Sequence, residues 1–194
     1  VGLGAGKLGL PEKPKETKAK QAVAAIGQCE LMHVYDDMFA KYSVTVAQIL
    51  LTKTIINNPN HCENFKNTIE TLVGMDVIPI VNENDTVSTY EIKFGDNDRL
   101  SAIVAALIDA DLLILLSDID GLYSDDPKKN PEAVFIEQVD ELSDELMGMG
   151  KATTGSDVGT GGMAAKLYAA KIATHSGCDM VIANAEKVEV VWDI

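Results

Sequence analysis

Short apolar runs recur along this chain, separated by stretches whose apolar residues fall at helical spacing. Residues 44–51 (VTVAQILL), 77–81 (VIPIV), 112–116 (LLILL) and 180–183 (MVIA) read as buried strands, rich in β-branched and aliphatic side chains. Helical spacing is expected over 17–26, 30–42 on the far side of Gly27, 65–75, 98–109 and 163–175. Asn57, Asn58, Pro59 and Asn60 read as a loop by their turn residues. Pro79 removes a ladder donor, which the plain rule would confine to an edge or a strand end, but the run around it is kept as a strand. Strands alternating with helices predict an α/β fold, a three-layer α/β/α sandwich with a central, mostly parallel sheet. Ligands of such sheets sit beyond the carboxyl ends of the strands. The polar clusters lie there: residues 82–86 follow one strand, and Ser117 and Asp118 follow another. That placement is the strongest sign of an enzyme site in the residues themselves.

At 194 residues the chain fits one domain with two lobes, and 46% hydrophobic residues suffice for a sizeable core. The formal net charge of −14 opposes nucleic-acid binding, which needs a basic surface, and gives no support to binding an anionic membrane. A phosphate site must therefore be built locally, from glycine amides and a few lysines. Cys29, Cys62 and Cys178 are scattered, without a Cys-x-x-Cys, which suits reduced thiols in the cytoplasm. No apolar run approaches the roughly 20 residues of a membrane helix. The first residues do not form a signal peptide and carry no methionine, so the chain is expected to begin inside a longer gene product.

Three clusters carry chemistry. In Gly155–x–x–x–Gly159 followed by Thr160, Gly161, Gly162, Met163, Ala164, Ala165 and Lys166, glycines let backbone amides approach a ligand closely. The helix that follows offers open amides and the positive end of its dipole to phosphate. Lys166 adds a full charge in the first turn. The spacing is not that of a P-loop. A glycine loop before a surface helix with a solvated lysine is the plain alternative. The second cluster is Ser117, Asp118, Ile119, Asp120, Gly121, Leu122 and Tyr123, where a strand-end acid can accept from ribose hydroxyls or an adenine amine. An ordinary Asx turn is its alternative. The third is Asn82, Glu83, Asn84 and Asp85 with Asp96, Asn97 and Asp98. A zwitterionic substrate needs a carboxylate such as Asp85 for its amine and amides such as Asn82, Asn84 and Asn97 for its own carboxylate. Asp98 stands where a helix dipole favours negative charge, and a carboxylate there can fix lysines around phosphates. Helix caps and turn residues are the plain reading of this cluster.

Other features carry less. Gly2, Gly4 and Gly6 imitate a dinucleotide loop, but no strand precedes them in this chain, so they read as a turn. His33, His61 and His175 have no partners at metal-ligand spacing, so no metal is assigned to protein ligands. Lysines 13, 15, 18 and 20 read as a solvated helix start.

Taken together and in order, the segments 21–28 (QAVAAIGQ), 78–87 (IPIVNENDTV), 94–102 (FGDNDRLSA), 117–123 (SDIDGLY) and 159–166 (GTGGMAAK) resemble the amino-acid kinase family over nearly the whole chain. Asn-Glu-Asn-Asp followed by Gly-Asp-Asn-Asp points to its glutamate-phosphorylating branch. The resemblance implies γ-phosphoryl transfer from MgATP to the side-chain carboxylate of L-glutamate, the entry step of proline synthesis. It implies that Asp85 and Asn97 hold glutamate, with Asn82 nearby, and that Ser117 and Asp118 contact the nucleoside. Thr160, Gly161, Gly162, Met163, Ala164, Ala165 and Lys166 would hold ATP phosphates. Lys166 would neutralise the transferring group, Asp98 would brace the lysines, and Mg2+ would be held mainly through the phosphates. Residues up to about 110 would form the amino-acid lobe and the rest the nucleotide lobe. The family also implies a cytoplasmic homo-oligomer inhibited by proline, with the 55–63 loop as one contributor to that inhibitor's site.

The family's first strand, with its phosphate-binding lysine, and its later Ser-Ser-Gly-Ala are not in this sequence, nor is the C-terminal accessory domain of many bacterial members. The chain is therefore expected to be a piece of a competent enzyme. Alternative readings are another amino-acid or carbamate kinase, the kinase half of a bifunctional pyrroline-carboxylate synthase, and a non-catalytic proline or nucleotide sensor.

Overall fold

The computed structural model describes residues 1–88, 96–125, 127, 130–152, 162–186, 188–192 and 194. The chain divides into two compact units, Val1–Phe94 and Gly95–Ile194. Among the described residues no helix is long and apolar enough to cross a membrane.

The first unit opens with α1 (Gly2–Lys7) and α2 (Thr17–Ala40). Both differ from the sequence expectation, for one physical reason. Gly2, Gly4 and Gly6 lie in a helix rather than a turn, and α2 runs unbroken through Gly27. The two helices touch backbone to backbone: a Cβ on Gly4 would stand 1.9 Å from the Val23 carbonyl oxygen, and one on Gly27 2.9 Å from the Gly4 nitrogen. Glycine mid-helix costs about 1 kcal/mol of intrinsic propensity, and here the close helix contact offsets it. Lys7 Nζ lies 2.8 Å from Glu30 Oε2 beside this seam. That hydrogen bond holds the Glu30 carboxyl below its ordinary range.

Strand β1 (Thr45–Leu51) pairs in parallel with β2 (Val77–Glu83), joined through a 3-10 turn at Lys53–Ile55 and α3 (Pro59–Gly74). The expected loop at residues 57–60 is instead a helix start. Asn58 is the N-cap, its side chain accepting from the Asn60 and His61 amides, and Pro59 takes the first helical position. There its missing N–H costs nothing, because that donor is an orphan in any case. Most of the 55–63 segment is thus cap and helix. Pro79 stands opposite Ala47 inside β2; among the described residues β2 has one paired neighbour, and such an edge tolerates proline.

The second unit holds α4 (Asn97–Leu107), β3 (Leu112–Ser117), the short antiparallel pair β4 (Leu122–Tyr123) and β5 (Phe135–Ile136), α5 (Asp144–Ala152), α6 (Met163–His175) and β6 (Asp179–Asn184). β3 and β6 pair in parallel from Leu112↔Asp179 to Ser117↔Asn184. Both α4 and α6 pack on this pair through alanines. Ala105 and Ala173 meet Cys178, Leu113 and Met180 near the strand starts, and Ala102 and Ala169 meet Leu115 and Ile182 further along. Met163 and Leu167 join Leu122 and Ile182 beyond them.

Four helix-to-strand turns share one device. Ser43, Asp76, Asp109 and Gly177 have φ of 58°, 58°, 52° and 81°. Three of them share the longer bond of a Schellman stop: Val44, Ala110 and Cys178 donate to the carbonyls of Phe39, Ala105 and Ala173. Each helix therefore turns sharply and runs back along the strand that follows it. In the second unit this sets the N-termini of α4 and α6 at the carboxyl ends of β3 and β6, where α/β sheets bind ligands.

Candidate active site

Helix α4 starts at a cap, Asp96, whose carboxylate accepts the Arg99 amide at 2.7 Å. That cap places Asn97 and Asp98 in the first turn. Helix α6 starts at Gly162, with no side chain capping its first amides, and Lys166 is its fourth residue. Lys166 Nζ donates to Asp98 Oδ2 at 2.9 Å across 68 positions of sequence. The lysine side chain is 6% exposed and the aspartate side chain 21%. This is not a solvated surface lysine.

A cation near a helix N-terminus opposes the local dipole, and burial removes water that would stabilise it. Asp98 offsets both. The result is a neutral pair among amides that point positive, an arrangement suited to gather an incoming polyanion. Met163 turns its side chain into the core with Leu122 and Leu167, so its peptide group is what it can present to a ligand. Ala164 and Ala165 are part-buried in the same turn, and small side chains there leave the backbone approachable. Thr160 and Gly161 lie outside the described residues.

Ser117 ends β3, and its hydroxyl donates to Asp118 Oδ1 at 3.3 Å. Asp118 is exposed, as a group meant for a ligand would be. In the first unit, Asn82 lies within β2, and its side-chain oxygen accepts the Glu83 amide at 2.9 Å. Asp85 follows in a turn organised by Asn84, whose carbonyl accepts the Val87 and Ser88 amides. Asn97 is exposed at the head of α4 in the second unit. The structure thus brings Asp98 to Lys166 and Ser117 to Asp118, and places Asn82 and Asp85 on one strand end.

Three residues escaped the sequence reading. Asn184 ends β6 opposite Ser117 and donates to Asp120 Oδ1 at 2.7 Å. The rule that singled out Ser117, a polar residue just after an apolar run, would have found it. Arg99 stacks over the Tyr168 ring at 5.4 Å, and its buried Nε has no partner among the described residues. Gln21 donates from its side chain to the Ser88 carbonyl at 3.3 Å, tying α2 to the turn after β2. Contacts of these two kinds leave no trace in periodicity. Among the described residues no group of three or more His, Cys, Asp or Glu is placed to hold a metal.

Residues 3–184 match the Amino acid kinase family. The chain belongs to the amino acid kinase family. Among curated proteins it is 50% identical to the glutamate 5-kinase of Clostridium perfringens (strain 13 / Type A), over 100% of this chain and 73% of that protein. It is 52% identical to the glutamate 5-kinase of Clostridium acetobutylicum, over 100% of this chain and 72% of the other. Solved members of the same architecture include an isopentenyl phosphate kinase in its substrate complex, with a TM-score of 0.59 at 19% identity, covering 98% of this chain and 73% of that one. A carbamate kinase from Giardia lamblia bound to AMP-PNP superposes with a TM-score of 0.58 at 15% identity, over 98% of this chain and 77% of that one. At those identities the likeness is one of fold, and the fold is the mostly parallel α/β sandwich expected from the alternating runs.

Proposed function

We propose that this chain carries the ATP-using domain of an enzyme that phosphorylates the side-chain carboxylate of L-glutamate, giving L-glutamyl 5-phosphate and ADP at the start of proline synthesis. The observation that carries the phosphoryl-transfer half is the buried Lys166–Asp98 pair at two helix N-termini. Glutamate as acceptor is supported by the two glutamate 5-kinases half identical to the whole chain and by the amide and carboxylate of Asn82 and Asp85 at one strand end.

In this reading a γ-carboxylate oxygen of glutamate attacks the γ-phosphorus of ATP, and the bond to the β,γ-bridging oxygen breaks. The acceptor is already ionised at neutral pH, so no strong base is required. Alignment and charge neutralisation supply the catalysis. Lys166 neutralises charge on the transferring group, and Asp98 holds the ammonium in place without taking a proton. The first-turn amides of α6 and the 160–162 segment hold the phosphates. Ser117 and Asp118 engage the nucleoside, while Asp85 and Asn97, with Asn82, hold the amino acid. Magnesium enters with the nucleotide as part of the substrate.

A division into an amino-acid lobe up to about residue 110 and a nucleotide lobe after it goes with this reading, with Asp98 serving the nucleotide side from before that bound, as do work in the cytoplasm, self-association and inhibition by proline. The test is ADP release by the full-length protein with glutamate, aspartate, N-acetylglutamate and carbamate in turn. Glutamate alone is expected to support turnover. Silence with glutamate and turnover with another acceptor would sink the assignment.

A further inference from the structure

Ser117 ends β3 and Asp118 opens the turn after it, which is exposed at Asp118 and Asp120 and has one apolar side chain between them, Ile119, packed against the Leu122, Met163 and Leu167 cluster. Something must hold it in one shape if those groups are to meet a nucleoside. At its far end the anchor is steric: a Cβ on Gly121 would stand 2.7 Å from the Phe135 ring, so the chain passes flush against that side chain. Leu122 then enters the core beside Met163 and Leu167.

At its near end the anchor is β6. The ladder is prolonged one step past the last strand pair by the Ala185 amide, which donates to the Ser117 carbonyl at 2.8 Å. Asn184 then uses both ends of its amide. Its nitrogen donates to Asp120 Oδ1 at 2.7 Å, and its oxygen accepts the Glu186 amide at 2.9 Å. The Glu186 bond fixes which way the amide faces, because only the oxygen can accept from a peptide N–H. The nitrogen is thereby aimed at Asp120. Asp120 lies three positions after Ser117, so one side chain on a strand 64 positions away closes the turn that presents Ser117 and Asp118.

We propose that Asn184 is a positioning residue for the nucleotide, acting through Asp120 on the Ser117–Asp118 turn. The inference rests on the proposed nucleotide role of that turn and deepens it. The bond has a polarity that can be reversed. Asn184→Asp sets two carboxylates against each other while keeping the acceptor for Glu186. Adding Asp120→Asn restores a donor and an acceptor with their places exchanged.

The experiment measures ATP affinity by calorimetry and KM for ATP and glutamate on the full-length protein, with thermal unfolding alongside. Asn184→Asp is expected to weaken ATP about tenfold, the range of one lost hydrogen bond plus local repulsion. The glutamate KM should stay near wild type, and the Asp120→Asn/Asn184→Asp double variant should return ATP affinity to within about twofold. A purely structural role would lower the unfolding temperature of the single variant and leave ATP affinity alone; that result overturns the proposal. So does a double variant that binds ATP no better than the single one. If wild type binds ATP but never phosphorylates glutamate, the acceptor assignment fails while the calorimetric comparison still decides the role of Asn184.

Discussion

The two parallel strand pairs are built alike and finish differently. In each, one amide beyond the last register pair prolongs the ladder: Asn84 donates to the Leu51 carbonyl at 2.7 Å, and Ala185 to the Ser117 carbonyl at 2.8 Å. Past that point, β1–β2 ends in a turn organised mostly by near neighbours, with Asn84 accepting Val87 and Ser88 amides and Asn82 accepting Glu83, while Gln21 reaches only a backbone group there, the Ser88 carbonyl. At the end of β3–β6 the tie over long sequence distances runs between side chains, Lys166 to Asp98 and Asn184 to Asp120. The contrast follows from what each end is proposed to bind. An amino acid is small and takes Asn82 and Asp85 from this strand end, with Asn97 besides, whereas a nucleoside triphosphate must be met along its length from several elements. It also implies that changes at β3–β6 disturb catalysis and stability together, while changes at β1–β2 separate them.

The largest test of that contrast is Lys166→Met. It removes the cation that meets the phosphoryl group, so kcat should fall about a thousandfold. Asp98 is left part-buried and uncompensated, so urea unfolding should show a loss of about 3 kcal/mol. A fall in kcat with unchanged stability would break the coupling claimed for this end. In the first unit, Gly4→Ala drives a Cβ into the Val23 carbonyl and should cost about 3 kcal/mol of stability, read by the same denaturation. Asp85→Ala should raise the glutamate KM about fiftyfold while ATP affinity and unfolding stay near wild type. A comparable loss of ATP affinity would merge the two ends.

Smaller effects sharpen the picture of the frame. Ser43 holds a left-handed φ of 58° that glycine adopts freely, so Ser43→Gly should stabilise by about 1 kcal/mol without changing either KM. The least effect concerns thiols. Burial, with Asp179 and Asp111 adding to it, pushes the Cys178 thiol up, whereas Cys29 is exposed. Alkylation of the native protein at mildly alkaline pH should label Cys29 first and reach Cys178 only on unfolding.

The strands and most helices were legible because burial on a sheet leaves aliphatic runs, and the clusters behind them were legible because ligands bind past carboxyl ends. Lys166 and Asp98 were both visible as candidates, but their contact was not, since a pairing over 68 positions leaves no local pattern. The glycines at 2, 4 and 6 misled for a related reason. Alone they suggest a turn, and only the backbone of α2 at Val23 and Gly27 shows why a helix there lacks side chains. The start of α3 was readable from Asn58 and Pro59, a cap and a first-turn proline, and was missed by weighing turn residues over caps. Asn184 follows an apolar run as Ser117 does, but its bond to Asp120 spans 64 positions and leaves no local pattern.

The central claim is that an oxygen of the glutamate side chain becomes bonded to the γ-phosphorus of ATP. The direct measurement uses L-glutamate labelled with oxygen-18 in both γ-carboxylate positions, MgATP, the full-length protein and hydroxylamine to intercept the acyl phosphate. Hydroxylamine attacks the carbonyl carbon and expels phosphate with its bridging oxygen. The account predicts one oxygen-18 in each phosphate released alongside the glutamyl hydroxamate. Unlabelled phosphate, with ADP formed but no hydroxamate, would contradict it.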